Sequence, residues 1–217
     1  MGKRIKRYLR VFLNMAIFIA VAAAWFYMAS SGGKTMLSET GLKSLRYFTV
    51  LSNWLEGLVS LAFVIAFFAR KEKRQRICER LKYVAAVSVG LTFFTVVCYL
   101  GMVYGFRMMF AGANLWFHLI IPVIAMLEFV FFCREKIGWK WNFLAVVPML
   151  LYGTYYMLNI VLGDLTKKPN PNDWYRFTTW GIPIGLVIFA GLIVLTFLIG
   201  LMLRGGNRLL KRIFPRL

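Results

Sequence analysis

Histidine is nearly absent from this sequence, since His118 is the only one among 217 residues. A single histidine excludes a His-box di-iron site, an HExxH zinc site and a haem bound by two histidines. The sequence also lacks a P-loop and a Gly-x-Gly-x-x-Gly fingerprint, which argues against nucleotide-driven transport and dinucleotide redox chemistry. We therefore expect no metal and no other cofactor.

Cysteine is also scarce, with only Cys78, Cys98 and Cys133. One falls in a basic loop, one in the middle of an apolar segment and one at the end of such a segment. This distribution implies neither a disulfide framework nor a paired-cysteine metal site. We interpret all three as packing residues.

Acidic residues are few, because 8 Asp and Glu stand against 27 Lys and Arg, and the net charge is +19. In a soluble protein this charge would suggest nucleic acid, but no nucleic-acid motif accompanies it. The basic residues are instead divided unequally between the two predicted sides of a membrane, with 20 on one side and 7 on the other. Because basic loops are typical of the cytoplasmic side, we predict cytoplasmic termini and no nucleic-acid partner.

Long apolar runs dominate what remains, with 60% hydrophobic residues and a mean hydropathy of +0.69. A helix of about 20 apolar residues crosses the hydrocarbon core of a bilayer. The sequence therefore predicts an all-α, polytopic membrane protein: a six-transmembrane-helix bundle forming a single integral membrane domain over residues 1–217. The predicted helices cover residues 11–30, 47–69, 82–106, 114–133, 141–162 and 180–203.

The second apolar segment carries a polar stripe. Its polar side chains recur at offsets of 0, 3, 4, 7 and 11, a spacing that places them on one face of a helix: Thr49, Ser52, Asn53, Glu56 and Ser60. A carboxylate near the bilayer centre costs about 2.5–3.5 kcal/mol or more, so Glu56 is expected to face protein or a wet cavity. Both a proton-relay role and a structural pairing role stay open for Glu56.

His118 opens the fourth apolar segment together with Asn114 and Pro122, at a spacing of four residues each. The second and fourth helices run in the same direction, and Thr49 and His118 each lie within about a turn of the same end. The two side chains are therefore predicted to meet in a pocket near the outer leaflet. Glu128, three turns deeper, is interpreted as a snorkelling or pairing residue.

A hydroxyl and an imidazole at one depth permit acyl chemistry without a cofactor. A threonine becomes a nucleophile when a neutral imidazole removes its proton, although a helical threonine also commonly bonds back to its own backbone. The predicted catalytic pair is Thr49 and His118, acting on a lipid or fatty acyl ester. Amide and hydroxyl groups would bind or orient the substrate, namely Ser52, Asn53, Glu56, Asn114, Tyr152 and Tyr156.

Several motifs together resemble bacterial six-helix relatives of the androgen-induced protein family. They are Tyr-Phe-Thr-Val-Leu-Ser-Asn at 47–53, the histidine four residues before Pro122, Pro148 with Tyr152, and Trp174-Tyr175. The resemblance covers most of the chain. Eukaryotic members of that family are threonine hydrolases of fatty acid esters of hydroxy fatty acids, and motif position implies Thr49 and His118 as their Thr and His. The resemblance also implies a multi-pass protein of a bacterial plasma membrane, and it differs at Arg176, where a proline is expected.

A second hypothesis is a non-enzymatic lipid-binding protein or a proton-coupled carrier with Glu56 and His118 in the pocket. The loop over residues 163–179 is predicted to form a polar lid carrying Trp174 and Tyr175. Pro148 is predicted to kink the fifth helix, because proline lacks a backbone N–H. Ser38 and Thr40 are candidate helix caps in the first outer loop.

Overall fold

The structure is a computed structural model, which describes residues 3–30, 41–163 and 170–213. Within these ranges the regular structure is entirely helical, and six helices are long and apolar enough to cross a membrane. They are α1 (Lys3–Ser30), α2 (Phe48–Phe68), α3 (Glu72–Tyr104), α4 (Ala113–Phe132), α5 (Trp139–Val161) and α6 (Ile182–Ile213). The predicted features at Ser38, Thr40 and 164–169 lie outside the described residues.

The predicted all-α bundle of six membrane-spanning helices is confirmed. Three helices extend further than predicted at the end that carries the N-terminus: α1 begins at Lys3, α3 begins at Glu72 and α6 runs to Ile213. Hydropathy marks where a helix leaves the hydrocarbon, whereas Lys, Arg and Glu are good helix formers that continue the helix into the polar region. The segment 70–81, predicted as a loop, is therefore mostly helical.

Two spans contain a π-helical turn. In α3 it covers Val96–Leu100, and in α4 it covers Trp116–Ile120. A π turn inserts an extra residue into the helix and is frequent at functional sites. A third irregularity lies in α5, which is interrupted after Leu144 and resumes at Val147 with Pro148 in its first turn. The predicted disturbance at Pro148 thus takes the form of a break.

The centre of the bundle is formed by α2 and α3, which pack against each other and against α1, α4 and α6. Gly57 of α2 allows close approach to α1, because a Cβ there would lie 3.2 Å from the side chain of Val21. Apolar clusters fill the spaces on both sides of this central pair. One cysteine departs from its predicted packing role, since Cys98 is exposed whereas Cys78 and Cys133 are buried.

A network of buried charges joins the first four helices. Lys82 of α3 pairs with Glu56 of α2, and its Nζ also lies 3.5 Å from Oε2 of Glu128 on α4. Arg10 of α1 donates to Glu128 Oε1 across 2.7 Å and to Glu79 Oε1 across 2.5 Å. Buried charges are tolerated when paired and hydrogen-bonded. Lys82, predicted as the first residue of the third helix, is therefore an interior residue, and Glu128 is a pairing residue.

Candidate functional site

An apolar cavity lies in the half of the bundle away from the N-terminus. It is bounded by the start of α2, the second half of α3, the second half of α5 and the start of α6, and by Tyr175 and Phe177 of the loop between the last two helices. The space not filled by atoms amounts to about 590 Å³, part of it continuous with the outside. None of the described residues that line it is charged. Such a site suits an apolar ligand.

Hydroxyl groups are the polar component of this lining, from Thr49, Thr92, Thr95, Tyr152, Tyr156 and Tyr175. Four of the six are engaged by other protein groups. Thr92 shares a hydrogen bond of 3.0 Å with Ser52, and the three tyrosines bond to the backbone or to Asp173. Within the described part of the chain, the Thr49 and Thr95 hydroxyls make no hydrogen bond. These two hydroxyls are therefore available to a ligand.

The tyrosines tie the loop after α5 to the start of α2. Tyr152 donates its hydroxyl to the Arg46 carbonyl across 2.7 Å and accepts a bond of 3.2 Å from the Trp174 indole N–H. The Phe48 amide donates to the Tyr175 hydroxyl across 3.0 Å. Burial of Tyr175 raises its pKa to about 12, so the phenol is neutral at physiological pH. This part of the predicted lid is thus a closed wall of the cavity.

Asp173 organises the rest of that loop. One carboxylate oxygen accepts bonds from the Tyr156 hydroxyl and, across 2.9 Å, from the Phe177 amide. The other oxygen accepts from the amide and hydroxyl of Thr178 at 2.9 and 2.6 Å. Hydrogen bonds to an ionised carboxylate are stronger than hydrogen bonds between neutral groups. Asp173 was not among the predicted site residues, although an acidic residue directly before the Trp174-Tyr175 pair was a usable signal.

Arg176, where the family resemblance leads one to expect proline, has a φ of 57°. The proline ring restricts φ to about −65°, so a proline cannot occupy this position in the observed loop. A proline here would therefore require a different backbone conformation of the loop. Arg176 sits between Tyr175 and Phe177, the two loop residues that face the cavity.

Thr49 is the second residue of α2. Its carbonyl accepts bonds from Ser52 Oγ at 3.1 Å and from Asn53 Nδ2 at 2.7 Å, and its side chain lines the cavity. The N-terminus of a helix carries the positive end of the helix dipole, which favours negative charge on a nearby group. The position of Thr49 thus favours a developing alkoxide or oxyanion at its side chain.

His118 lies in the π-helical turn of α4 and is buried. Its Nδ1 lies 2.7 Å from the Met109 carbonyl. A carbonyl accepts only, so Nδ1 carries a proton and a neutral ring leaves Nε2 as an acceptor. His118 does not line the cavity, and it makes no hydrogen bond to Thr49 among the described side chains. The predicted shared pocket is therefore not formed in this conformation.

Asn53 connects the two segments that carry the predicted pair. Its Nδ2 donates to the Thr49 carbonyl at 2.7 Å and to the Phe117 carbonyl at 3.1 Å. The residue after Phe117 is His118, so the backbones of the two predicted catalytic segments lie side by side. The predicted similar depth of Thr49 and His118 agrees with this bridge.

The remaining predicted residues divide between the cavity and the buried network. Tyr152 and Tyr156 line the cavity, and Ser52 lies behind its wall through its bond to Thr92. Glu56 lies outside the cavity, fully buried and paired with Lys82. Asn114 is partly exposed and also lies outside it. The alternative arrangement with Glu56 and His118 in one pocket is not observed.

Across residues 3–30, 41–163 and 170–213, no cluster of three or more His, Cys, Asp and Glu side chains has the proximity that a metal site requires. No protein-family model, no curated protein and no solved structure matches the chain.

Proposed function

We propose that this membrane protein binds the acyl chain of a lipid in the cavity between α2, α3, α5 and α6. The observation that carries the proposal is a cavity with an uncharged lining in which two threonine hydroxyls lack protein partners within the described part of the chain. An apolar wall accommodates hydrocarbon, and a few placed polar groups orient a ligand. The Thr49 and Thr95 hydroxyls would bond to the ester or carboxyl end of that ligand.

Filling the cavity tests this binding. Thr95→Phe places a ring at the cavity wall without removing a protein hydrogen bond, and Thr154→Phe makes the same change at an exposed position of α5 outside the cavity. Native mass spectrometry of the purified proteins, followed by lipid analysis, measures the bound lipid. We expect loss of bound lipid in Thr95→Phe and retention in Thr154→Phe. Equal retention in both variants contradicts the proposal.

A second candidate function is hydrolysis or transfer of the acyl group, with Thr49 as the nucleophile and His118 as the base. It is favoured by the unpartnered Thr49 hydroxyl in the cavity, at the N-terminus of α2. In this reaction His118 Nε2 removes the hydroxyl proton, Thr49 Oγ1 attacks the ester carbonyl, and the alcohol leaves with a proton. Water or a second alcohol then releases the acyl group from Thr49.

The reaction requires His118 Nε2 to come within hydrogen-bond distance of Thr49 Oγ1 when substrate is bound. Catalytic hydrogen bonds often form only in the complex, so their absence without ligand is compatible with this role. The π turn around His118 and the Asn53 bridge provide the segment that would shift. With Nδ1 donating to the Met109 carbonyl, a neutral His118 ring leaves Nε2 as the acceptor.

A reactive phosphonate probe distinguishes catalysis from binding alone. Catalysis predicts covalent labelling that is lost in Thr49→Ala and His118→Ala, is retained in Thr49→Ser, and is unchanged in Thr95→Ala. Thr95 is the matched control because it offers the same unpartnered hydroxyl to the same cavity. Labelling that survives Thr49→Ala excludes Thr49 as the nucleophile, and bound lipid without labelling leaves the binding function.

We also propose that the protein resides in the cell membrane of a bacterium with both termini in the cytoplasm. The division of the 27 basic residues in the sequence, with 20 on the predicted side of the termini and 7 on the other, supports this orientation. Reporter fusions at each terminus test it. Alkaline phosphatase activity from a fusion at Leu217 would contradict the cytoplasmic position of the C-terminus.

A further inference from the structure

A second pocket lies at the opposite end of the bundle, where α1 and α3 begin and α4 ends. It encloses about 970 Å³ of space, part of it open to the surroundings. Five basic residues line it, and they come from three different segments: Lys6, Arg7, Arg10, Arg76 and Arg134. The proposed lipid-binding cavity does not use any of them. This pocket therefore needs an explanation of its own.

The acidic residues of the pocket do not neutralise this basic group. The lining includes Glu72, Glu79 and Glu135, and Glu128 behind it pairs with Arg10, which leaves an excess of one positive charge when all nine groups are ionised. Glu79 is already engaged, because it accepts bonds from Arg10 at 2.5 Å and from the backbone amides of Arg134 and Glu135 at 2.9 and 2.8 Å. An anion is the ligand that such a pocket attracts.

Arg10 provides a second observation within this pocket. It is 5% exposed, and its Nη2 has no hydrogen-bond partner among the described residues. Buried donors are normally satisfied, so this lining residue keeps one guanidinium donor without an acceptor beside the pocket. Arginine binds phosphate oxygens well because its planar group offers several N–H donors.

Aromatic residues in the lining favour a phospholipid over a free phosphate as the ligand. Phe63, Phe67, Phe131 and Phe132 line the same pocket as the basic residues. The guanidinium carbons of Arg7 and Arg10 lie 4.7 and 4.4 Å from the ring centres of Phe67 and Phe63. A free phosphate has no group to place against these rings, whereas a phospholipid carries acyl chains beside its phosphate.

We propose that this pocket binds the phosphate of an anionic phospholipid, and that the part of the acyl chains nearest the headgroup packs against the phenylalanines. The pocket lies at the end of the membrane-spanning helices, which is the depth of lipid headgroups. Basic pockets between membrane helices recognise anionic headgroups in this way. The site is separate from the acyl cavity, so it stands without the proposed function.

The test uses the full chain in a neutral detergent, titrated with phosphatidylglycerol, phosphatidylcholine and inorganic phosphate and measured by native mass spectrometry. We expect phosphatidylglycerol to bind at least about tenfold more tightly than phosphatidylcholine. Inorganic phosphate is expected to compete only weakly. Equal binding of the two lipids overturns the proposal without any variant, and equally tight binding of inorganic phosphate overturns the assignment to a lipid.

Two double variants that lower the net charge by the same amount test the location of the site. Arg7→Gln with Arg76→Gln removes two exposed pocket residues, and Arg4→Gln with Arg74→Gln removes two exposed arginines of the same helices outside the pocket. We expect about a tenfold loss of phosphatidylglycerol affinity in the first and little change in the second. Equal losses in both overturn the pocket, because they show a general effect of charge. Thermal unfolding without lipid confirms that both variants fold.

Discussion

Glu56 of α2 and Lys82 of α3 form an ion pair in which both side chains are fully buried. Lys82 also faces Glu128, at 3.5 Å, so one ammonium group compensates two carboxylates from different helices. Ser60 joins them through a bond of 2.9 Å from Lys82 Nζ. This arrangement makes Lys82 the residue on which the centre of the buried network depends.

Removing the charge of Lys82 is expected to destabilise the bundle strongly. Lys82→Met leaves Glu56 without its cation and weakens the compensation of Glu128, and breaking a buried pair on one side costs about 3–5 kcal/mol. Unfolding in mixed micelles, followed by intrinsic fluorescence, measures the change. Lys73→Met, an exposed lysine of the same helix, is expected to stay within about 0.5 kcal/mol. Similar losses in the two variants would contradict a special role for the buried pair.

Gly153→Ala is expected to disturb the acyl cavity. A Cβ at Gly153 would lie 1.9 Å from a ring carbon of Phe189, which also lines the cavity, so the ring must move. Overpacking of this kind costs about 1–3 kcal/mol, and we expect less bound lipid after purification. Gly191→Ala on α6 is the matched control, because nothing lies within 4 Å of its Cβ. At that position we expect alanine to stabilise the folded protein by roughly 0.5–1 kcal/mol, because alanine loses less backbone entropy on folding than glycine.

The end of α4 is predicted to depend on Asn207 of α6. Its Nδ2 donates to the carbonyls of Phe129, Val130 and Cys133 at 3.3, 2.9 and 3.1 Å. Asn207→Ala removes the donor from three buried or partly buried acceptors, for an expected loss of about 1–3 kcal/mol.

Asn207→Asp removes the hydrogen-bond donor but keeps the size of the side chain, because a carboxylate accepts hydrogen bonds but cannot donate them. We expect it to be at least as destabilising as alanine, with faster amide hydrogen exchange near the C-terminus of α4. Asn159→Ala serves as the control, since that amide donates only to the Tyr155 carbonyl of its own helix, at 2.8 Å. Unchanged exchange at α4 in Asn207→Asp would contradict the capping role.

Tyr175 is expected to make stability fall at alkaline pH. Burial raises its pKa from 10.0 to about 12, so above about pH 10 the phenol ionises more readily in the unfolded chain than in the folded one. Its contribution is complete below pH 10 and is lost as the pH rises through about 12. Tyr175→Phe cannot ionise there, so its unfolding free energy should decline less steeply over this range.

The Tyr175→Phe variant is also expected to be less stable at neutral pH by about 1 kcal/mol, because the Phe48 amide loses its acceptor. Unfolding curves at a series of pH values measure both effects. Tyr155→Phe controls for the general alkaline loss, since that tyrosine is exposed. A parallel decline in the Tyr175 and Tyr155 variants would contradict the assignment to Tyr175.

The interior position of Glu56 was predictable, but its partner was not. Helical spacing places Glu56 with Ser52, Asn53 and Ser60 on one face, and burial of all four confirms that this face points into the bundle. Spacing within one helix carries no information on which residue of another helix comes opposite. Lys82 was predicted as the first residue of the third helix, at the membrane edge, because the prediction began that helix where hydropathy rises.

The acyl cavity was likewise predicted only in part. Thr49, Tyr152 and Tyr156 were predicted near a pocket and line the cavity, whereas His118 faces the Met109 carbonyl instead. Depth along a helix follows from residue number, since each residue advances it by about 1.5 Å. The direction of a side chain around the helix also depends on π turns, and one of these contains His118.

The amino-acid sequence by itself determined that the chain forms six apolar helices and that α2 turns its polar stripe inward, because both follow from local hydropathy and periodicity. Only the tertiary structure decided that Lys82 neutralises Glu56, that Asp173 anchors the loop over the cavity, and that Arg10 reaches both Glu79 and Glu128. The physical reason is that each of these contacts joins segments far apart in the chain, and its geometry depends on how several helices pack at once.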